Sequence, residues 1–89
     1  MFRVEWLQSA VDELTRLWNQ ADSALRQSLT AASHQIDLRL QVDPANEGES
    51  RRRGRRIAFF PPLAVTFRLE NDGQTVTVIE IRLFRRRSS

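Results

Sequence analysis

The sequence predicts an α+β fold, a two-layer sandwich of order β-α-α-β-β-β in which a helical hairpin packs on a mainly antiparallel sheet. Three observations carry this expectation: a short alternating segment at the start, two consecutive apolar stripes at helical spacing, and three later segments that alternate apolar with polar residues. Helices with one apolar stripe each, and a sheet with one apolar face, bury both surfaces when stacked as two layers. With 89 residues the chain has room for one modest core, so a single domain over residues 1–89 is expected.

Phe2, Val4 and Trp6 alternate with Arg3 and Glu5, the period of a strand with one buried face. Ser9 stands three residues before Asp12, the spacing of a capping box, so the first helix is expected to start there. Leu7, Val11, Leu14, Trp18 and Ala21 then form one stripe, with Trp18 expected in the core. Asp22 and Ser23 provide a break and a cap. Leu25, Leu29, Ala32, Ile36 and Leu40 make the second stripe, which stops before Asp43 and Pro44, since proline cannot continue a helix.

The stretch from Pro44 to Gly54 reads as a loop. Ile57 and Phe59 open a strand that Pro61 and Pro62 must end, because neither proline has an amide to donate. Leu63, Val65, Phe67 and Leu69 alternate cleanly with Ala64, Thr66, Arg68 and Glu70. Asn71, Asp72 and Gly73 mark a tight turn into a last strand from Thr75 to Phe84. Alternation slips within it: Val76 and Val78 share one face while Ile79, Ile81 and Leu83 share the other. Either a bulge near Val78 and Ile79 or cover on both faces is required. The open sheet face is then expected to carry Arg3, Glu5, Thr66 and Arg68, with Glu80 and Arg82.

Charge is strongly polarised. Arg51, Arg52, Arg53, Arg55 and Arg56 form one run and Arg85, Arg86 and Arg87 another, which leaves six arginines against eleven acids in the rest of the chain. Guanidinium forks grip phosphates bidentately and stay charged at any physiological pH, so a polyanion or an acidic partner is the expected ligand, with nucleic acid leading. Both runs are expected at neighbouring strand ends, forming one cationic rim. The chain has no Cys, which excludes disulfides and thiolate metal sites and fits a cytoplasmic location. No apolar run is long enough to span a bilayer, and Arg3 and Glu5 interrupt what would be a signal peptide. No membrane partner, metal or cofactor is expected: phosphate loops, zinc spacings and nucleophile elbows are all missing.

The sequence resembles the RelE and ParE superfamily of toxins from bacterial type II toxin-antitoxin modules. The likeness rests on Val4-Glu5-Trp6 leading into the first helix, the Gly48-Glu49-Ser50-Arg51 loop, Arg55-Arg56-Ile57, the run from Leu63 to Leu69, and Val76-Thr77-Val78-Ile79. It spans essentially the whole chain. It implies a RelE/ParE-like fold, a cognate antitoxin in a toxin-antitoxin hetero-oligomer, and either ribosome-bound mRNA, cut without metal, or DNA gyrase, inhibited without catalysis. A degenerate antitoxin-binding module is a third alternative. Residue by residue, the resemblance places phosphate stabilisers at Arg56 and Arg86. The family's third-strand Arg falls on Ala64, its second Lys on Ala58, and its tail Tyr has no counterpart.

Metal-free RNA cleavage needs a base, a cation and an acid, and Arg supplies only the cation. The chain has no Lys and no Tyr, so the proton carriers are His34 and the carboxylates. His34 points away from the second stripe and reads as solvated. Glu80 is the candidate base, with an ion pair to Arg82 or Arg68 as its structural alternative. Arg51, Arg52, Arg53, Arg55, Arg82, Arg85 and Arg87 are the expected RNA-binding residues. Phe59 and Phe60 are candidates for partner binding, because adjacent strand residues cannot both face one core; Phe60 is expected at the sheet edge or in a partner's groove, or else beneath the loop. Phe67, Trp6 and Phe2 fall on the apolar face, which argues against a reader that stacks RNA bases on the sheet.

Overall fold

The computed structural model describes residues 1–84. Its order is β1 (Arg3–Trp6), α1 (Gln8–Gln20), α2 (Ser23–Val42), a 3-10 turn (Pro44–Asn46), β2 (Glu49–Ser50), a second 3-10 turn (Arg52–Gly54), β3 (Arg55–Phe60), β4 (Leu63–Leu69) and β5 (Thr75–Leu83). The strands form one sheet in the order β1-β5-β4-β3-β2, with β1 parallel to β5 and every other pair antiparallel. The expected α+β sandwich is present, with one short strand, β2, inside what the sequence reads as a loop. Neither helix is long and apolar enough to cross a membrane.

The last strand resolves its conflict with a bulge. Thr66 pairs with Glu80 and Phe67 with Val78, so Ile79 is the extra residue. Past it the parity flips, and Ile81 is buried on the same side as Val76 and Val78 while Glu80 and Arg82 turn to the open face. Phe67, opposite Val78, is fully buried at the centre of the core with Leu29, Ile36, Leu40, Leu63 and Val65.

The α2 stripe is as expected: Leu29, Ala32, Ile36 and Leu40 are buried, and the Asp22 carboxylate accepts from the Leu25 amide at 2.8 Å. Helix α1 departs from expectation in two ways. It begins at Gln8 rather than after Ser9, because the Leu7 amide donates to the Val78 carbonyl at 3.0 Å and so fixes where the chain leaves β1. No side chain caps it; Asp12 instead accepts from Gln8 Nε2 at 2.9 Å. Its buried face is also rotated to Ala10, Leu14, Leu17 and Ala21, small Ala10 letting the helix approach β5, and Trp18 is 41% exposed rather than in the core. The Trp18 ring finds another partner: the Arg26 guanidinium lies 4.2 Å from its centroid while donating to the Trp18 and Asn19 carbonyls at the end of α1. Trp6 pins β1 to α2 by donating from Nε1 to Asp37 Oδ1 at 2.9 Å.

The turn from β4 to β5 depends on one carboxylate. Asp72 Oδ1 accepts from the Gln74 and Thr75 amides at 2.8 and 2.9 Å, and Oδ2 accepts from the Thr75 hydroxyl at 2.8 Å. The Gln74 amide first, then the Thr75 hydroxyl, hold the Asp72 carboxyl below the usual carboxylate range. A lowered folded-state pKa stabilises above the unfolded value, and that contribution is lost as pH falls through the folded one. Asp72→Asn is therefore expected to flatten the decline in thermal midpoint below about pH 4. An unchanged acid limb in calorimetry would show that other carboxylates cause it.

Candidate nucleic-acid interface

Residues directly opposite one another on neighbouring strands share a face, so the registers lay out the open surface in rows. Arg55, Arg68, Thr77 and Glu5 form one row; Ile57, Thr66 and Glu80 the next; Phe59, Ala64 and Arg82 a third. The segment 51–54 overhangs the first two. Together they line a cleft of about 520 Å³ bounded by Arg51, Arg52, Arg53, Arg55, Ile57, Thr66, Ile79 and Glu80.

Six of the eleven described arginines have a carboxylate within ion-pair distance: Arg3 with Glu5, Arg16 with Glu13, Arg39 with Glu47, Arg51 with Glu49, Arg68 with Glu70 and Arg82 with Glu80. Arg26 and Arg56 are taken up by main-chain carbonyls. Among the described residues that leaves Arg52, Arg53 and Arg55 with no carboxylate partner, and all three are exposed at the cleft. Glu80 and Arg82 face each other at 3.3 Å, the ion pair weighed as the alternative to a catalytic role. Both side chains are largely in solvent, so the pair adds little stability.

Arg56 is placed apart from these. It pairs with Phe67, and thus lies on the helix side of the sheet. Its Nε donates to the Glu47 carbonyl at 2.9 Å and Nη2 to the Gly48 carbonyl at 3.1 Å, with Ser50 Oγ at 3.5 Å from Nη1. Glu47 is in turn bridged to Arg39 of α2 at 3.0 Å. Arg56 thus ties down the entry to the arginine loop, and the cleft arginines are Arg51, Arg52, Arg53 and Arg55.

Arg85, Arg86 and Arg87 lie outside the described residues. The chain reaches them from Phe84, whose amide donates to the Pro62 carbonyl at 2.6 Å. That is the far end of β3 from Arg55, five residues or roughly 17 Å along a strand. The expected joining of the two runs in a single rim rests on Arg85, Arg86 and Arg87 and so lies outside the described residues. The antiparallel register sets the separation of Arg55 and Phe84: β3 and β5 run in the same direction with β4 between them, so the start of one and the end of the other lie at opposite ends.

The two phenylalanines also exchange their expected places. Phe60 is 3% exposed and packed in the core, with the Arg39 guanidinium 5.5 Å from its ring centroid, whereas Phe59 is 58% exposed. Ala58 sets this phase: it occupies the tight core position opposite Val65, which turns Ile57 and Phe59 outward. Phe59 meets Phe84 edge to face, with centroids 5.2 Å apart and an interplanar angle of 63°. The open face therefore does carry exposed aromatics. The signal lay in Ala58, whose small side chain marks the buried phase between two bulky neighbours. His34 is exposed on α2, in the other layer, as expected.

No protein-family model matches the sequence, and no curated protein matches it significantly. Solved structures do match. The chain superposes on a protein of the chromosomal ParDE toxin-antitoxin system of P. aeruginosa with a TM-score of 0.77 at 17% identity, covering 96% of this chain and 98% of the other. It matches the RelBE2 toxin-antitoxin complex of Mycobacterium tuberculosis with a TM-score of 0.73 at 19% identity, over 92% of this chain and 90% of that one. The isolated E. coli RelE toxin gives a TM-score of 0.61 at 14% identity, over 98% and 88%. The fold is that of the RelE and ParE toxins: a helical hairpin on a five-stranded mixed sheet.

Proposed function

We propose that this chain is the toxin of a type II toxin-antitoxin module, and that it binds RNA, with the ribosome and its mRNA as target, through the arginine loop and the open sheet face. One observation carries the reading. Arg52, Arg53 and Arg55, the described arginines without an internal acceptor, gather at one cleft in a chain whose other described arginines are nearly all matched to acids. Unneutralised guanidinium groups at that density favour a polyanion.

The reading favours occupation of RNA over cutting it. Among the described residues Glu80 is the single carboxylate lining the cleft, and Arg56 is committed to loop carbonyls. Cleavage there would rest on Glu80 as base and on Arg86 to stabilise the phosphate, with no second proton carrier in the lining. An antitoxin protein is the other proposed partner. β1 covers β5 only from Thr75 to Val78, and the edge beyond borders a cleft of about 320 Å³ with Ser9, Ala10 and Glu13, where an added strand or helix could dock.

Replacing Arg52, Arg53 and Arg55 together by Gln tests the proposal. The expected result is loss of growth arrest on expression, and for purified protein a fall of about 2 in the slope of log affinity against log salt, since each phosphate contact on single strands contributes roughly 0.7. Wild-type protein that binds no RNA, or that inhibits gyrase while binding none, would overturn it.

A further inference from the structure

Phe59 and Phe84 remain without an assignment in that reading. Both rings are more than half exposed, on the same sheet face as the unpaired arginines. An exposed aromatic pair on a sheet face is unusual, and the edge-to-face packing at 5.2 Å leaves ring faces open to solvent. Beside Phe59 in its row sits Ala64, which is too small to cover the ring, and then Arg82. Four residues along β3, roughly 13 Å at strand spacing, lies Arg55 with the overhanging loop. Ile57, Thr66 and Ile79 floor the space between, and the one carboxylate there, Glu80, is already matched to Arg82.

We infer that this face is a stacking platform for a single-stranded oligonucleotide, with bases laid on Phe59 and Phe84 and the backbone led to Arg52, Arg53 and Arg55. The inference rests on the RNA-binding reading and adds which form of nucleic acid is held and by what. A cationic groove beside exposed rings is the combination by which single strands are bound with little sequence preference, because every base has a π face. A duplex offers cations its phosphates but has no free base faces for the rings. The mixed charge of the surface fits the same division of labour. Among the described residues its free cations sit at one end, and beside the rings lies the Arg82 and Glu80 pair, matched at 3.3 Å, so the rings there supply contact with the bases.

The test uses the full chain, a labelled ten-residue oligouridylate, the same oligonucleotide with abasic sites at its centre, and a blunt duplex. Wild-type protein is expected to prefer the base-bearing single strand over the abasic one by about tenfold or more. Phe59→Leu with Phe84→Leu, at exposed positions that leave the core intact, is expected to erase that preference while keeping the salt dependence. Equal affinity for base-bearing and abasic strands, with the steep salt dependence intact, would overturn the stacking platform and leave the RNA-binding reading standing. No binding to any oligonucleotide would overturn both. If the double variant keeps the base preference and loses a protein partner instead, the aromatic pair is a protein contact and the inference fails.

Discussion

Gly48→Ala is expected to detach the arginine loop from the sheet. Gly48 has φ +67°, where an L side chain costs about 1–2 kcal/mol by itself. The larger obstacle is steric. A Cβ there would stand 2.1 Å from the Ile57 carbonyl oxygen and 2.8 Å from the Ala58 Cα, both backbone atoms of β3 that cannot swing aside. The loop must therefore move, which breaks the pairing of Glu49 with Ile57 and the Arg56 bond to the Gly48 carbonyl at 3.1 Å. Gly54 is the control. It too has positive φ, at +72°, but a Cβ meets nothing within 4 Å, so Gly54→Ala carries only the conformational term. The expected outcome is loss of hydrogen-exchange protection at Glu49 and Ile57 in Gly48→Ala alone, together with the larger fall in thermal midpoint. RNA affinity should follow, since Arg52, Arg53 and Arg55 are positioned by that segment. Equal effects of the two substitutions would show that the close approach to β3 is relaxed at no cost.

Phe67→Ala is expected to bring the domain close to unfolding. Phe67 is fully buried in the core, at the point where β4 meets the bulge of β5. Truncating a buried Phe typically costs about 3–5 kcal/mol through lost transfer free energy and the cavity left behind. Domains of this size have total stabilities of order 5–15 kcal/mol. At about 4–8 °C per kcal/mol, the midpoint should drop by at least ~12 °C. Neighbours fixed by strand pairing cannot collapse easily into the space, because Val65 and Val78 are held on the backbone ladder and Leu29 and Ile36 on a helix. Phe67→Leu should recover much of the loss. A thermal shift of only a few degrees for Phe67→Ala would mean that the core repacks around the gap.

Much of this architecture was legible from spacing alone, and particular residues show where legibility ended. The α2 stripe from Leu29 to Leu40 was legible because Leu29, Ala32, Ile36 and Leu40 recur at spacings of three and four, although Leu38 and Val42 of the same helix are exposed. The α1 stripe was ambiguous: Leu7, Val11 and Trp18 compete with Ala10 and Leu17 for the core, and apolarity alone favoured the bulkier set. Contact with β5 chose the smaller one. β2 has two residues and exists only because Gly48 lets the chain approach Ile57, which no pattern of two residues reveals. Phe59 and Phe60 were indistinguishable by type, and the phase set by Ala58 separated them.

By itself the sequence determined the periodicities, the breaks at Asp22, Pro44, Pro61 and Asp72, the need for a bulge near Val78, and the excess of arginine over acid in one run. Those follow from local geometry, which neighbouring residues dictate. Which of the described arginines lack a carboxylate partner, which phenylalanines face solvent, and how far Phe84 stands from Arg55 were decided by tertiary structure alone. Each depends on strand register and on partners distant in sequence: Arg56 turned under the sheet by its pairing with Phe67, Arg82 neutralised by Glu80 once the bulge flipped both outward, and Phe84 carried to the far end of β3 from Arg55 by the antiparallel strand between them.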